Sequence, residues 1–277
     1  FYVDVFPDSS VKQLTVLRDT PSGDCDVVAF ELAGQPFMAI SAGPIFTPNP
    51  SISFTVNCAT VAEVDALWAR LSEDGMALMP LDAYPFNPHF GWVQDRFGIS
   101  WQVSLAEGRS DDEPLIVPSL MFTGDNFGKA AEAIGFYTAI FKDAKPGQIQ
   151  YNPDAPGPDG APTVLVADFL LEGQRFALIE SGAEHGFTFN EAISFIVSCA
   201  TQAEIDHYWE HLSAVPEAEQ CGWLKDKYGL SWQITPAALD VMMSEGTPAQ
   251  VERVTQTFLP MKKLDLAALE RAYREAV

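Results

Sequence analysis

The chain has 277 residues, 47% hydrophobic and 12% aromatic, with 38 Asp and Glu against 16 Lys and Arg for a net charge of −22. That length and apolar content suit two domains with cores of their own and exclude a disordered chain. The acid excess covers both halves with no basic stripe, which excludes a nucleic-acid binder, and no apolar run reaches the ~18 residues of a bilayer span, so a soluble cytoplasmic protein is expected.

In chain order, KQLTVLRD, DVVAFELAG and QPFMAISAG read as strands punctuated by Gly and Pro. SISFTVNC follows as a strand, with Ile52, Phe54 and Val56 on one face and Ser51, Ser53 and Thr55 on the other. Thr60 opens a helix, with Glu63 completing a capping box, and Val64, Leu67, Trp68 and Leu71 form its apolar stripe, which Gly75 ends. LMPL, FGWVQD and SWQVSL are the next strands, and the acidic stretch 106–117 is a linker. The strand PSLMFTG and the helix NFGKAAEAIGFYTAIF come next, and a Pro/Gly-rich loop at 152–162 separates the following strands. AISFIVSC then repeats SISFTVNC, Thr201 and Glu204 repeat the capping box, and Ile205, Tyr208, Trp209 and Leu212 repeat the stripe. Helices are expected around 237–244, 248–258 and 264–275, packing across the repeats.

GWVQDRFGISWQVS at 91–104 and GWLKDKYGLSWQIT at 222–235 match at Gly, Trp, Asp, Gly, Ser, Trp and Gln. A duplication of this quality means two copies of one domain. The expected organisation is a first domain at 1–105, the linker at 106–117, a second domain at 118–236 and a helical extension at 237–277. Phe1 aligns with Phe136, so the first copy starts mid-helix, and the polypeptide is expected to extend upstream. The second copy lacks a counterpart of Pro80–Pro88. Cys58 and Cys199 occupy equivalent places and read as small buried residues at strand ends, with no Cys-x-x-Cys pair in the chain.

The order strand, helix, three strands, closing on D-x-x-G-x-x-W-Q, resembles the vicinal oxygen chelate superfamily of glyoxalase I, bleomycin-resistance proteins and extradiol dioxygenases. FYVDVFPDS, VDALW, LMPLDAYPF and GWVQDRFGISWQ in one copy, with FNEAISF, CGWLKDKYGLSWQITP and MKKLDLAALERAY in the other, resemble PhnB-like domains, often labelled 3-demethylubiquinone-9 3-methyltransferase. The resemblance implies an α+β fold of tandem glyoxalase-like domains, built of paired βαβββ modules that form half-barrels, with C-terminal helices added. It also implies, in the superfamily's enzymes, a divalent metal held by His and Glu from four strands. Those positions fall near Pro118 or Ser119, at Ser41 and Glu180, at Ser51 and Ala192, and at Gln102 and Gln233. One carboxylate and a Gln do not make a first-row metal site, so no metal and no cofactor is expected.

What remains is a polar cavity lining: Ser41, Ser51, Ser53 and Gln102 in one copy, Glu180, Ser194 and Gln233 in the other. Two readings stand, a small polar or cationic ligand oriented by hydrogen bonds, and groups that satisfy one another. His89, on the extra segment, is expected to overhang the first cavity, and Glu180 with His185 is the best acid–base pair, which keeps an enzyme reading open (lyase, isomerase, oxygenase-like or methyltransferase). His207 and His211, at i and i+4, read as a surface chelate or a solvated face. Asp95 and Asp226 read as turn acceptors, and the repeated tryptophans as core. No strand leads through a Gly-rich turn into a helix suited to a nucleotide-like cofactor, since Gly157 and Gly160 sit in a Pro-rich loop. The two copies are expected to form an internal pseudo-dimer, with a homodimer of the chain optional.

Overall fold

In a computed structural model, which describes residues 1–20, 23–41, 43–110 and 113–275, the first copy runs α1 (Tyr2–Val5), β1 (Ser10–Thr20), β2 (Gly23–Leu32), β3 (Gln35–Ile40), β4 (Ile52–Cys58), α2 (Val61–Leu71), β5 (Met76–Tyr84), β6 (Asn87–Gln94) and β7 (Ser100–Leu105). The second runs β8 (Ile116–Phe122), α3 (Ala130–Ile140), β9 (Lys145–Pro156), β10 (Pro162–Leu171), β11 (Gln174–Glu180), β12 (Ser194–Cys199), α4 (Gln202–Leu212), β13 (Trp223–Lys225) and β14 (Ser231–Pro236). Three helices close the chain: α5 (Ala237–Glu245), α6 (Pro248–Phe258) and α7 (Leu266–Arg274). Ala42 of the third expected strand, Asp111 and Asp112 of the expected linker and the last two residues of the expected extension lie outside the described residues. Among the described residues no helix is long and apolar enough to cross a membrane.

The chain divides into two compact units, each drawing on both copies. Unit 1 comprises Phe1–Ser9, Leu32–Gln35 and Thr47–Phe189. It is an open eight-stranded sheet in the order β5-β6-β7-β4-β8-β11-β10-β9. Its centre is the junction between copies: β8 runs antiparallel to β4, with Ile52 opposite Leu120 and Val56 opposite Ile116, and parallel to β11, with Ala177 opposite Ser119. All seven residues of β8 are buried. Pro118 is tolerated there because Phe54–Pro118 is a pair that exchanges no bonds with β4, and on its other side the pairing of β8 with β11 begins only at Ser119.

Helices α2 and α3 cover one face of this sheet. The capping box forms as its sequence dictates, with the Thr60 hydroxyl accepting from Glu63 N–H and the Glu63 carboxylate from Thr60 N–H. Val64, Leu67 and Leu71 are buried beneath it. Gly91 lets α2 approach: a Cβ there would stand 2.4 Å from the Trp68 ring. On the other half, Tyr137 of α3 stacks over Phe169 at 6.2 Å, which stacks on Phe176 at 5.3 Å. The expected loop at 152–162 is shorter than its prolines suggest. β9 runs on to Pro156 because Thr163 pairs with Asn152 and Pro162 with Pro156 across a register shift, where a missing N–H is accommodated. The extra Pro80–Pro88 segment lengthens the β5–β6 hairpin, with Tyr84 opposite Asn87.

Unit 2 comprises Ser10–Glu31, Pro36–Phe46 and Asn190–Val277. It holds two three-stranded sheets, β1-β2-β3 and β12-β14-β13. α4 buries Ile205, Tyr208, Trp209 and Leu212, and its Thr201 hydroxyl accepts from Glu204 N–H. The C-terminal helices build their own core from Met242, Val254, Phe258, Leu264, Leu269 and Ala272, against which Leu17 of β1 packs. They join parts of both copies within this unit. Gln13 donates to Met243 C=O at 3.0 Å, and Gln202 of α4 accepts from Leu266 N–H at 2.9 Å.

Candidate functional site: a duplicated serine–glutamine pair

Strand register decides which side chains face away from the helices. In unit 1, Thr55 lies opposite Gln102, Gln102 opposite Trp92, Ser53 opposite Ser119, and Ser119 opposite Ala177. In-register pairs share a face, so Ser53, Thr55, Trp92, Gln102 and Ser119 line the inner face. There Gln102 Nε2 donates to Ser53 Oγ at 2.8 Å, with Ser53 1% exposed. Trp92 Nε1 donates to Ser100 Oγ at 2.7 Å, and Asn87 Nδ2 to Ser104 Oγ at 2.9 Å. Ser51 sits just before β4, its N–H donating to Asn49 Oδ1 and its carbonyl accepting from Met121 N–H.

Unit 2 repeats the central pair: Gln233 Nε2 donates to Ser194 Oγ at 2.7 Å. Trp223 stands opposite Gln233, as Trp92 does opposite Gln102, and Ser231 stands opposite both Lys225 and Ser194. Here the network is open. Ser231 is 1% exposed, yet among the described residues its hydroxyl has no hydrogen-bond partner. Lys225, in the place of Gln94, pairs with Glu191 at 3.1 Å. An orphaned buried hydroxyl costs on the order of 1–3 kcal/mol, so it marks a place where a partner would be welcome. The sequence shows the Ser–Gln pair twice, but Ser231, Ser119 and Trp92 emerge only from the register.

Ser41 lies in unit 2, where its hydroxyl accepts from Asp26 N–H at 2.8 Å, and Ser51, Ser53 and Gln102 lie in unit 1. Glu180 shares unit 1 with them but not their face. It stands opposite Phe122 on the helix side, where its carboxylate accepts from Ala130 N–H, at the start of α3, and from Val164 N–H of β10. This carboxylate anchors a helix N-terminus. His185 is exposed, with Nε2 2.6 Å from Ser181 Oγ and its ring 5.1 Å from Phe187, so its contact is not the Glu180 carboxylate. His89 does not overhang the inner face. Alternation along β6 puts it on the side of Gly91 and α2, where its Nε2 lies 2.7 Å from Asp65 Oδ1 of that helix. His211 Nδ1 donates to the His207 carbonyl at 2.7 Å, which leaves the free lone pair on its Nε2.

The two aspartates of the repeated motif are turn anchors. Asp95 accepts from the N–H groups of Phe97 and Ile99, from Trp101 Nε1 at 2.8 Å and from the Tyr2 hydroxyl at 2.7 Å. Asp226 accepts from Tyr228 N–H, Leu230 N–H and Trp232 Nε1. The turns need Gly98 and Gly229, whose φ values are +86° and +83°. Burial, then the Asp95 charge, raises the Tyr2 phenol far above its ordinary range. Burial chiefly pushes the Cys58 thiol up to about 12, with Glu63 adding to it.

A superfamily-type divalent metal does not fit these residues. The glutamines at the inherited positions bond to serines, the Glu180 carboxylate is held by backbone donors on the opposite face, and among the described residues no three His, Cys, Asp or Glu side chains gather. A separate cleft of about 450 Å³ opens in unit 2 between β1 and α5–α6, with Gln13, Arg18, Met243 and Thr255 in its walls. It has no part in the duplicated pair.

Comparison with known proteins agrees with this architecture. The chain is similar to a putative 3-demethylubiquinone-9 3-methyltransferase, the PhnB protein of Bacillus cereus, at 36% identity over 38% of this chain and 85% of that one, with a TM-score of 0.35. A variant of glyoxalase I from Zea mays shares the fold at 12% identity and a TM-score of 0.52, over 86% of this chain and 88% of that one. No curated protein matches. The family described as 3-demethylubiquinone-9 3-methyltransferase matches twice, over residues 1–104 and 114–235, and the chain therefore belongs to that family as a tandem of two PhnB-like, glyoxalase-fold domains.

Proposed function

We propose that the chain binds a small polar ligand, preferentially cationic, on the inner face of unit 2, without a metal. Ser194 and Gln233 form the base of this site, Ser231 supplies an unused hydroxyl, and Trp223 provides an apolar wall. The observation that carries the reading is the Ser231 hydroxyl, buried and unpartnered where its counterpart Ser100 is bonded to Trp92. The net charge of −22 favours a cation over an anion. Unit 1 has the same Ser–Gln base with its neighbours bonded to one another, and serves as the scaffold counterpart. Because each unit draws on both copies, the tandem acts as its own pseudo-dimer.

The acid–base reading loses its support, since Glu180, His185 and His89 make other contacts. The family's descriptive name points to methyl transfer, but Gly157 and Gly160 lie between β9 and β10 rather than at a helix start. A thermal-shift screen with cationic antibiotics and small oxygenated metabolites tests the proposal. A hit that raises the midpoint of the wild type and of Gln102→Ala, but not of Gln233→Ala, supports it. A hit lost in Gln102→Ala and kept in Gln233→Ala overturns it, as does stoichiometric zinc, nickel or iron required for binding.

A further inference from the structure

The cleft between β1 and α5–α6 lies wholly within unit 2 and uses none of the residues of the duplicated pair. β1 ends its sheet, as its counterpart β9 ends the sheet of unit 1, so the open edge belongs to the repeat itself. That edge is unpaired where it faces α6. Asp26, opposite Val16 on β2, turns to Ser41 instead, its N–H donating to the hydroxyl at 2.8 Å and its carbonyl accepting from the N–H at 2.9 Å. Val16–Asp26 is therefore a pair that exchanges no bonds, and the Val16 N–H and carbonyl point away from the sheet. Two residues on, the Arg18 carbonyl accepts from Gln256 Nε2 of α6 at 3.4 Å, so this outward edge looks onto α6.

The helix answers with one stripe. Pro248, Val251, Glu252, Thr255 and Gln256 follow the i, i+3, i+4 spacing of a single helix face, and all line the cleft. Thr255 is 2% exposed, and among the described residues its hydroxyl has no hydrogen-bond partner. A threonine inside a helix ordinarily returns its hydroxyl to the carbonyl four residues back, as Thr257 does to Arg253 at 2.7 Å; Thr255 does not. The cleft walls hold two charged residues. Arg18 is paired with Asp24 of β2 at 3.4 Å, whereas among the described residues no cation pairs with Glu252.

We propose that this cleft binds the free amino end of a short apolar peptide. The ammonium group meets Glu252, the first amide pairs with the open Val16 edge and the Thr255 hydroxyl, and the side chains lie against Leu14, Val251 and Met243. A volume of about 450 Å³ suits a ligand of dipeptide size rather than a folded partner. The net charge of −22 and Glu252 disfavour an anion, and a purely apolar molecule would leave the Val16 groups and the Thr255 hydroxyl unpaired. The site is independent of the serine–glutamine pair.

Calorimetric titration of the 277-residue chain with leucyl-leucinamide tests this, with N-acetyl-leucyl-leucinamide as the probe that lacks the ammonium group. The free amine is expected to bind at least about tenfold more tightly than the acetylated probe, and Glu252→Gln should remove that preference. Thr255→Val keeps the shape and deletes the hydroxyl. It should weaken binding at least about fivefold while the ligand-free melting midpoint stays level or rises. With the amine bound, hydrogen exchange at the Val16 amide should slow by about fivefold or more. Equal binding of the two probes overturns the proposal, as does no binding of either at millimolar concentration or affinity left intact in Thr255→Val. Protection confined to β12 and β14 places the peptide on the inner face of unit 2 and overturns it as well.

Discussion

The inner faces of the two units carry the same serine–glutamine pair but differ in what surrounds it. In unit 1, Trp92 donates to Ser100, and Ser53 sits on an interior strand of the eight-stranded sheet. In unit 2, Ser231 is as deeply buried and unpartnered, and Ser194 sits on a terminal strand. The comparison separates what the repeat keeps for folding from what it leaves available. The Asp-anchored turn and its tryptophan recur with nearly the same bonds in both copies, so that part of the motif is scaffold. The hydroxyl one position before the tryptophan is where the copies part.

The largest effects should fall on the shared scaffold. Asp226→Ala removes a fully buried acceptor from Trp232 Nε1 and two backbone N–H groups, and should cost about 3–5 kcal/mol of unfolding free energy in denaturant titrations. Asp95→Ala should cost as much; if only one of the two is costly, the turns are not equivalent. Next comes the contrast itself. Ser100→Ala strands the Trp92 indole N–H and should cost about 1–3 kcal/mol, while Ser231→Ala removes an orphan and should raise stability, by up to about 1–3 kcal/mol.

A smaller effect concerns Tyr2, whose hydroxyl donates to Asp95 at 2.7 Å. Its folded-state pKa is raised by burial and then by Asp95, so above the ordinary value of 10.0 the folded state holds a proton that the unfolded state releases. Stability should therefore fall as pH rises past about 10, and Tyr2→Phe should flatten that fall in melting curves. The smallest is chemical: with its thiol pushed up to about 12, Cys58 should resist iodoacetamide at pH 8 in the folded protein, as followed by mass spectrometry.

Much of this was legible from the sequence because it is local. The Thr60–Glu63 box, the α4 stripe and the three C-terminal helices follow from spacings of three or four residues, and the structure places them within a residue or two. The duplicated motif fixed the number of copies. Glu180 was not legible, because its face depends on β11 pairing with β8 in the register Ala177–Ser119, a contact across about sixty residues. His89 was not either, since its partner Asp65 comes from a helix packed through Gly91. The composition of the units was hidden for the same reason. The β4–β8 pairing crosses from one copy to the other, so Ser53 shares a sheet with Glu180 and Ser194 shares a unit with Ser41.

The most direct measurement is a nitrogen-edited NMR titration of the tryptophan indole signals with a ligand found by the thermal screen. The Trp223 resonance should move in proportion to ligand bound, Trp92 should stay in place, and Ser231→Ala should weaken the titration. A ligand that moves Trp92 and leaves Trp223 unchanged would contradict the assignment of the open network in unit 2 as the binding site.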